Sequence, residues 1–166
     1  MKKSGIIWFG ILVVVAAALI VWGILGSKKT TETQHETLST RELSMICTTD
    51  MATEFHIHPK LRVIIDGKEQ VIPANVGITN GCMNPLHTHD ATGELHVESP
   101  VQRDFTLGDF FAVWHRPFSR TEIFEHKAGP GTDYEIVMTV NGEQSDVYEN
   151  LVLRDKDQIV IEYKKK

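Results

Sequence analysis

The sequence predicts an α+β domain that is mainly β: a small antiparallel β-grasp-like or barrel-like sheet with one helix. Two hairpin signals carry this prediction. LRVIIDGKEQ at 61–70 and YEIVMTVNGEQ at 134–144 each place an Asp-Gly or Asn-Gly turn between a strand and a polar return. A helical stretch, TLGDFFAVW at 106–114, lies between them. Two hairpins separated by one helix favour the β-grasp arrangement, and a small barrel or sandwich plugged by the helix is the alternative.

The N-terminal segment is predicted to cross a membrane. Residues 5–26 carry no charged side chain, and about 20 apolar residues are enough to span a bilayer as a helix. Trp8 and Trp22 lie near the two ends of this run, where aromatic rings favour the membrane interface. A cleavable signal peptide is the alternative, but its apolar core usually has only about 7–15 residues. We therefore predict an uncleaved single-pass anchor at 1–26, with the C-terminal domain outside the cytoplasm.

A polar stalk and one folded domain are predicted to follow the anchor. Residues 27–45 are rich in Thr and Glu, which favours a flexible stalk or a frayed helix. Residues 46–166 are enough for one domain with a single core. The formal net charge is −5, and the basic residues form no stripe interleaved with aromatic residues. This distribution argues against a nucleic-acid partner.

Cys47 and Cys82 are the two cysteines of the chain. In an oxidising compartment such a pair predicts one disulfide, with metal ligation by the two thiolates as the alternative. No C-x-x-C spacing supports the second interpretation. The disulfide prediction agrees with a domain outside the cytoplasm.

The strands before the helix are predicted from alternation and from turn signals. The segment 55–65 alternates, and Pro59 within it predicts an edge strand or two short strands. Asp66-Gly67 predicts a two-residue hairpin turn with a return strand at 71–73. A further alternating strand at 94–98 places Leu95 and Val97 inward, which leaves the opposite face to three polar residues: Glu94, His96 and Glu98.

The helix and the C-terminal strands have their own signals. Thr106 is the predicted helix N-cap, with Asp109 at the third helical position, and the apolar residues that follow at helical spacing are predicted core. Residues 116–133 are predicted to form a loop. Strands are predicted at 134–140 and at 158–163.

The densest chemistry in the sequence lies in CMNPLHTHDATGELHVE, residues 82–98, and in a second His-x-His pair upstream. Alternate residues of a strand project from one face about 6.5–7 Å apart, so the two imidazoles of His-x-His can converge on one ion. Imidazole is the commonest protein ligand for transition metals. We predict a metal site with five histidine ligands: His56, His58, His87, His89 and His96.

Acidic residues and soft donors accompany these histidines. Asp90, Glu94 and Glu98 are predicted either to accept the second ring N–H of a ligating histidine or to serve as alternative ligands. Copper or zinc is the expected ion. Copper has the higher intrinsic affinity, and Met83 and Cys82 would add soft donors. The other three histidines of the chain, His35, His115 and His126, are not predicted to be ligands.

One motif suggests a different interpretation of the same residues. Gly81, His87, His89 and Glu94 match the spacing of the first cupin motif, although Val101 stands where that motif ends in glycine. No second cupin motif is found, nor any Ser–His–Asp order, P-loop or dinucleotide fingerprint. The alternative function is therefore a small cupin-like metalloenzyme with His87, His89 and Glu94 as ligands.

A broader set of motifs covers residues 47–114. It consists of Cys47, HIHPKL at 56–61, Asp66-Gly67, IPANVGI at 72–78, Cys82, LHTHDATGELHVESP at 86–100 and FTLGDFF at 105–111. In this combination the chain resembles a largely uncharacterised family of secreted or membrane-anchored bacterial and archaeal proteins. Many members have an aromatic pair where this chain has Asn84-Pro85. The resemblance implies the histidine site and an extracytoplasmic compartment, but no reaction.

Three functions follow from these patterns. The first is a membrane-anchored extracytoplasmic module that binds copper or zinc for capture, delivery or sensing. The second is the cupin-like enzyme. The third is a surface module whose histidines only form hydrogen bonds. Ring nitrogens more than about 8 Å apart would favour the third, because metal–nitrogen bonds are only about 2 Å long.

Overall fold

A computed structural model describes residues 37–49 and 54–166 of the chain. The described part is mainly β with few helices, which confirms the predicted fold class at that level. The predicted anchor at 1–26 and most of the predicted stalk lie outside the described residues. Within the described ranges, no helix has the length and apolar character needed to cross a membrane.

Short elements dominate the described part. The α-helices are α1 (Thr40–Ser44) and α2 (Leu107–Val113), and Tyr148–Asn150 forms a 3-10 turn. The strands are β1 (Phe55–Ile57), β2 (Lys60–Ile65), β3 (Lys68–Gln70), β4 (Ile78–Thr79), β5 (Cys82–Met83), β6 (Leu86–His87), β7 (His96–Ser99), β8 (Phe118–Ser119), β9 (Glu122–Ile123), β10 (His126–Lys127), β11 (Tyr134–Val140), β12 (Glu143–Gln144) and β13 (Gln158–Lys165).

The largest sheet has five strands in the order β12-β11-β13-β2-β3. Its central strands β2 and β13 are parallel, and the outer pairs are antiparallel hairpins. Asp66 and Gly67 have positive φ angles, 49° and 76°, as a two-residue hairpin turn requires. This turn pairs Lys68 directly with Ile65, so the return strand is Lys68–Gln70 and not 71–73 as predicted. Pro73 also lacks the N–H that a ladder needs.

The core contains apolar residues of this sheet, such as Leu61 and Ile161, together with residues of α2. Thr106 and Asp109 form the predicted capping box, and Phe110 and Phe111 of the helix are buried. Asp109 is itself buried and forms an ion pair with Arg41 of α1, in which Arg41 Nε lies 2.7 Å from Asp109 Oδ1.

The folded unit therefore begins earlier than predicted. It starts at Ser39, whose hydroxyl and the side chain of Glu42 form a capping box for α1. Leu43 is buried in the core. Residues 39–45 therefore belong to the folded unit and not to the stalk. The sequence does not reveal this helix, because five residues are too few to show amphipathic spacing.

Residues 116–133 were predicted to form a loop, and here the prediction was wrong. They contain the antiparallel strands β8, β9 and β10, each two residues long. Ile123 of β9 is fully buried, and Phe118 of β8 stacks on Phe111 with ring centroids 4.6 Å apart. A strand of two residues shows no alternation, so only its tertiary contacts reveal it.

A disulfide joins Cys47 to Cys82, with the two Cα atoms 5.4 Å apart. It confirms the predicted pairing and removes both sulfurs from the set of metal donors. The bridge ties the segment after α1 to β5, and main-chain hydrogen bonds in both directions between Thr48 and Met83 reinforce it.

Candidate metal centre

A three-stranded sheet in the order β1-β7-β6 brings the predicted histidines together. His87 on β6 lies directly opposite His96 on β7, and His56 on β1 lies directly opposite Glu98 on β7. Directly opposite residues of antiparallel strands project from the same face of the sheet. Leu95 and Val97 are fully buried beneath the other face, as predicted. All these polar side chains therefore share one face.

Thr88 fixes the direction of the two histidines beside it. Its side chain is buried, where the hydroxyl donates to the Pro73 carbonyl at 2.8 Å and accepts from the Val76 N–H at 3.1 Å. With Thr88 held on the buried face of the sheet, the neighbours His87 and His89 project from the opposite, polar face. The His-Thr-His sequence thus presents two imidazoles to one point.

The orientation of His87 leaves one ring nitrogen available for an ion. Nδ1 of His87 donates to the Asn84 carbonyl at 3.0 Å, because a carbonyl can only accept. In the neutral ring Nε2 then carries the lone pair. Nε2 of His87 lies 3.2 Å from Nε2 of His89. Two nitrogens bound at 2.0–2.1 Å to a tetrahedral ion are about 3.3–3.4 Å apart, so this spacing fits a shared ion.

His96 occupies the centre of the cluster. Its ring centroid lies 4.5 Å from that of His89, 4.7 Å from that of His58 and 5.4 Å from that of His87. Nδ1 of His96 is buried and has no hydrogen-bond partner among the described residues; Glu98 Oε1 is 3.6 Å away. A buried polar atom without a partner requires an explanation, and a metal ion would supply one.

The donor atoms form two groups that share His96. His87, His89, His96 and Glu98 offer ligand atoms that all lie within 4.8 Å of one another, and we name them the inner site. His56, His58 and His96 satisfy the same limit, and we name them the outer site. All five histidines predicted from the sequence therefore belong to one of these two sites.

The three predicted acidic residues have different positions. Glu98 supplies a donor to the inner site, and its Oε1 also lies 3.0 Å from Nε2 of His56. Glu94 is half exposed, with Oε1 3.6 Å from Nε2 of His96. Asp90 belongs to neither site: it accepts hydrogen bonds from the Thr92 N–H and hydroxyl at 2.9 and 2.6 Å. These two hydrogen bonds account for the orientation of the Asp90 carboxylate without a metal ion.

Two residues near the histidines were not predicted. The carbonyl of Asn84 orients His87, and no local pattern marks a carbonyl for this purpose. Asp155 accepts a hydrogen bond from the His58 N–H at 2.9 Å, and its Oδ1 lies 3.9 Å from Nδ1 of His58. Asp155 follows His58 by 97 residues, so only the folded chain reveals this contact.

The environment of His87 and His96 favours the neutral form of their imidazoles. Burial lowers the pKa of His87. Burial also lowers the pKa of His96, and the neighbouring His89 and His58 lower it further. A neutral imidazole is the form that binds a metal ion, so the inner site favours ligation.

These shifts predict a pH-dependent stability. The unfolded chain protonates its histidines near pH 6.5, whereas folded His87 and His96 protonate at lower pH. Between these values the unfolded chain binds more protons, so the free energy of unfolding of the metal-free protein should fall as the pH drops below about 6.5. Urea unfolding at pH 7.5, 6.5 and 5.5 measures this. The variant His87→Gln, His96→Gln should show a shallower dependence, and equal slopes would contradict the assignment.

The backbone of Gly77 lies close to β6, the strand that carries His87. A Cβ built there lies 2.5 Å from the Leu86 carbonyl oxygen and 3.3 Å from His87 Cβ, and the φ angle is +70°. We expect Gly77→Ala to displace β6, lower the free energy of unfolding by about 1–3 kcal/mol and weaken metal binding. Gly81→Ala is the matched control, because Gly81 has φ +85° and nothing within 4 Å of its built Cβ. Equal losses in urea unfolding and metal affinity would show that the contact with β6 has no effect.

Comparison of the chain with protein-family models, with curated proteins and with solved structures finds no match.

Proposed function

We propose that this domain binds one copper or zinc ion at the inner site and takes part in metal capture, delivery or sensing. The observation that carries the proposal is the group of His87, His89, His96 and Glu98, whose ligand atoms lie within 4.8 Å of one another. The buried Nδ1 of His96, which lacks a hydrogen-bond partner among the described residues, supports it independently.

The donor set narrows the choice of ion. Cys82 is held in the disulfide, so the inner site offers three imidazoles and one carboxylate, without thiolate. Zinc accepts four such ligands in tetrahedral geometry, and copper(II) binds nitrogen and oxygen donors strongly. Calcium and magnesium are disfavoured, because they prefer sites made of oxygen ligands.

We also propose that the domain lies outside the cytoplasm, attached to the membrane through residues 1–26. The disulfide between Cys47 and Cys82 supports this location, since disulfides persist in oxidising compartments. The uncharged run 5–26 supports the anchor.

We infer further that the five-stranded sheet is of the β-grasp kind. Its two parallel central strands, β2 and β13, are each flanked by an antiparallel partner, and α2 lies between the two hairpins in the chain. Strands β12 and β3 end the strand order as separate edges, which favours an open sheet over a barrel.

The cupin-like enzyme is less well supported. Its ligand set would use Glu94, whereas the carboxylate grouped with His87 and His89 belongs to Glu98. An enzyme also needs a coordination position that a substrate can reach in a pocket. A cavity of about 260 Å³ lies beside β3, but it is lined by residues such as Glu69, Ile72 and Thr92 and by no histidine.

Metal titration tests the proposal. The full-length chain, purified in detergent without an affinity tag, is titrated with Zn²⁺ and with Cu²⁺ by calorimetry. We expect one ion per chain, and we expect His87→Ala, His89→Ala to bind it much more weakly, because the variant lacks two of the four inner donors and keeps only the three donors of the outer site. No binding by the wild-type chain, or equal affinity of the double variant, would refute the proposed function.

A further inference from the structure

The inner and outer sites overlap at His96, and Glu98 also contacts both. His96 lies between the two His-x-His pairs, 4.5 Å from the ring of His89 and 4.7 Å from the ring of His58. Glu98 Oε1 lies 3.0 Å from His56 Nε2 and 3.6 Å from His96 Nδ1. An ion in either site would therefore lie close to His96 and Glu98.

The charges around the cluster favour one ion at a time. Two divalent ions in overlapping sites would be separated by only a few ångström and would repel each other strongly. Four acidic side chains lie near the histidines: Glu98, Glu94, Asp155 and Asp90, of which the last three are exposed to solvent. Only Glu98 is largely shielded, with 13% of its side chain exposed, so a single negative charge compensates the interior of the cluster.

The two sites differ in donor number and in whether a donor is fully buried, since each also has one exposed histidine, His89 in the inner site and His56 in the outer site. The inner site has four donors and includes His87, which is fully buried. The outer site has three donors, and the side chains of His56 and His58 are 42% and 37% exposed. A site with more donors, one of them inaccessible to water, holds an ion more tightly than a site with three donors, none of them fully buried.

We propose that the outer site is the exchange position of the inner site: the ion enters and leaves through His56 and His58 and rests on His87 and His89. His96 stays bound to the ion while the other donors of one site replace those of the other, and Glu98 binds the ion when it reaches the inner site. Each step exchanges one metal–ligand bond for another, and the oxidation state of the ion does not change. This inference rests on the proposed function and makes the domain a module for transfer, not a permanent store.

Exchange kinetics test the proposal. The full-length chain in detergent is loaded with Zn²⁺, and stopped-flow measurements follow loading and then release to a chromophoric chelator. The variant is His56→Ala, His58→Ala. The matched control is His115→Asn, His126→Gln, which removes two histidines outside both sites. Asn suits position 115, where φ is +55°.

A position that serves only for exchange changes rates but not the equilibrium. We expect the variant to load and release Zn²⁺ about tenfold more slowly, with Kd unchanged within about threefold and one ion per chain. The control should match the wild type. If the double variant melts more than about 5 °C below the wild type, His56→Gln alone serves in its place, with the same expectation.

The other outcomes each overturn the inference. A Kd weakened tenfold or more would make His56 and His58 ligands of the resting ion. A wild-type stoichiometry of two that falls to one would mean two resident ions, and unchanged rates would mean that the pair takes no part. These results leave the proposed function standing. The proposed function fails separately, and the exchange position with it, if the wild-type chain binds neither Zn²⁺ nor Cu²⁺ in the calorimetric titration.

Discussion

Replacing His96 with alanine is expected to weaken Zn²⁺ binding by at least about 100-fold, the largest loss from any single substitution in the cluster. His96 is the one residue common to the inner and outer sites, so its removal leaves neither site with its full set of donors. Loss of His89 or His56 affects only one site. The effect therefore tests the shared position of His96 in a way that no other histidine does.

Thermal or chemical unfolding with and without Zn²⁺ measures this effect. At a free Zn²⁺ concentration of 100 times the wild-type Kd, the wild-type chain should gain about 2.7 kcal/mol of stability, whereas a 100-fold weaker variant gains about 0.4 kcal/mol. His115→Asn should behave as the wild type, because His115 belongs to neither site. Full stabilisation of His96→Ala by Zn²⁺ would contradict the central position of this ring.

Removing the disulfide with Cys47→Ser, Cys82→Ser is expected to lower the free energy of unfolding by about 2–4 kcal/mol. The bridge closes a loop of 35 residues, for which the loss of chain entropy in the unfolded state corresponds to nearly 4 kcal/mol. The melting temperature should fall by roughly 8–16 °C.

Asn84 lies two residues after Cys82, and its side-chain amide donates to the Ser44 carbonyl at 3.1 Å. Metal affinity should therefore fall too, because the Asn84 carbonyl orients His87.

Reductant provides the control for this experiment. The wild-type chain with reductant should melt near the temperature of the double variant, and the variant itself should not respond to reductant. Melting of the variant within about 2 °C of the oxidised wild type would show that the bridge adds little to the stability of the domain.

The elements predicted correctly are those whose signals are local. Asp66-Gly67 and Asn141-Gly142 both adopt positive φ angles at both residues, as two-residue hairpin turns require. Thr106 caps α2 with Asp109, as the spacing of the two residues predicts. In each case the residues that decide the structure lie within four positions of one another, so the sequence contains the whole interaction.

The elements that were missed depend on partners far along the chain. The strands β8 to β10 consist of two residues each and exist because they pair with one another and pack on α2. The parallel pairing of β2 with β13 joins residues almost a hundred positions apart, such as Val63 and Ile161. No periodicity in either segment specifies that partner.

Some features of the candidate site were predicted from local patterns, and others depend on the fold. Alternation along the strands predicted that His87 and His89 share a face and that His96 shares a face with Glu98. The choice of Glu98 over Glu94 and Asp90 follows from the fold, in which Glu98 is the carboxylate that has an oxygen within 4.8 Å of the donors of His87, His89 and His96. The overlap of two sites at His96 follows from the strand order β1-β7-β6, which only the fold determines.

Anomalous diffraction at the zinc absorption edge, from crystals of the Zn²⁺-loaded chain, tests most directly whether these imidazoles surround one ion. We expect one peak on the polar face of the three-stranded sheet, about 2.0–2.2 Å from one atom each of His87, His89, His96 and Glu98. A peak held only by residues outside this group, or no peak near the five histidines at full zinc occupancy, would contradict a metal centre at this site.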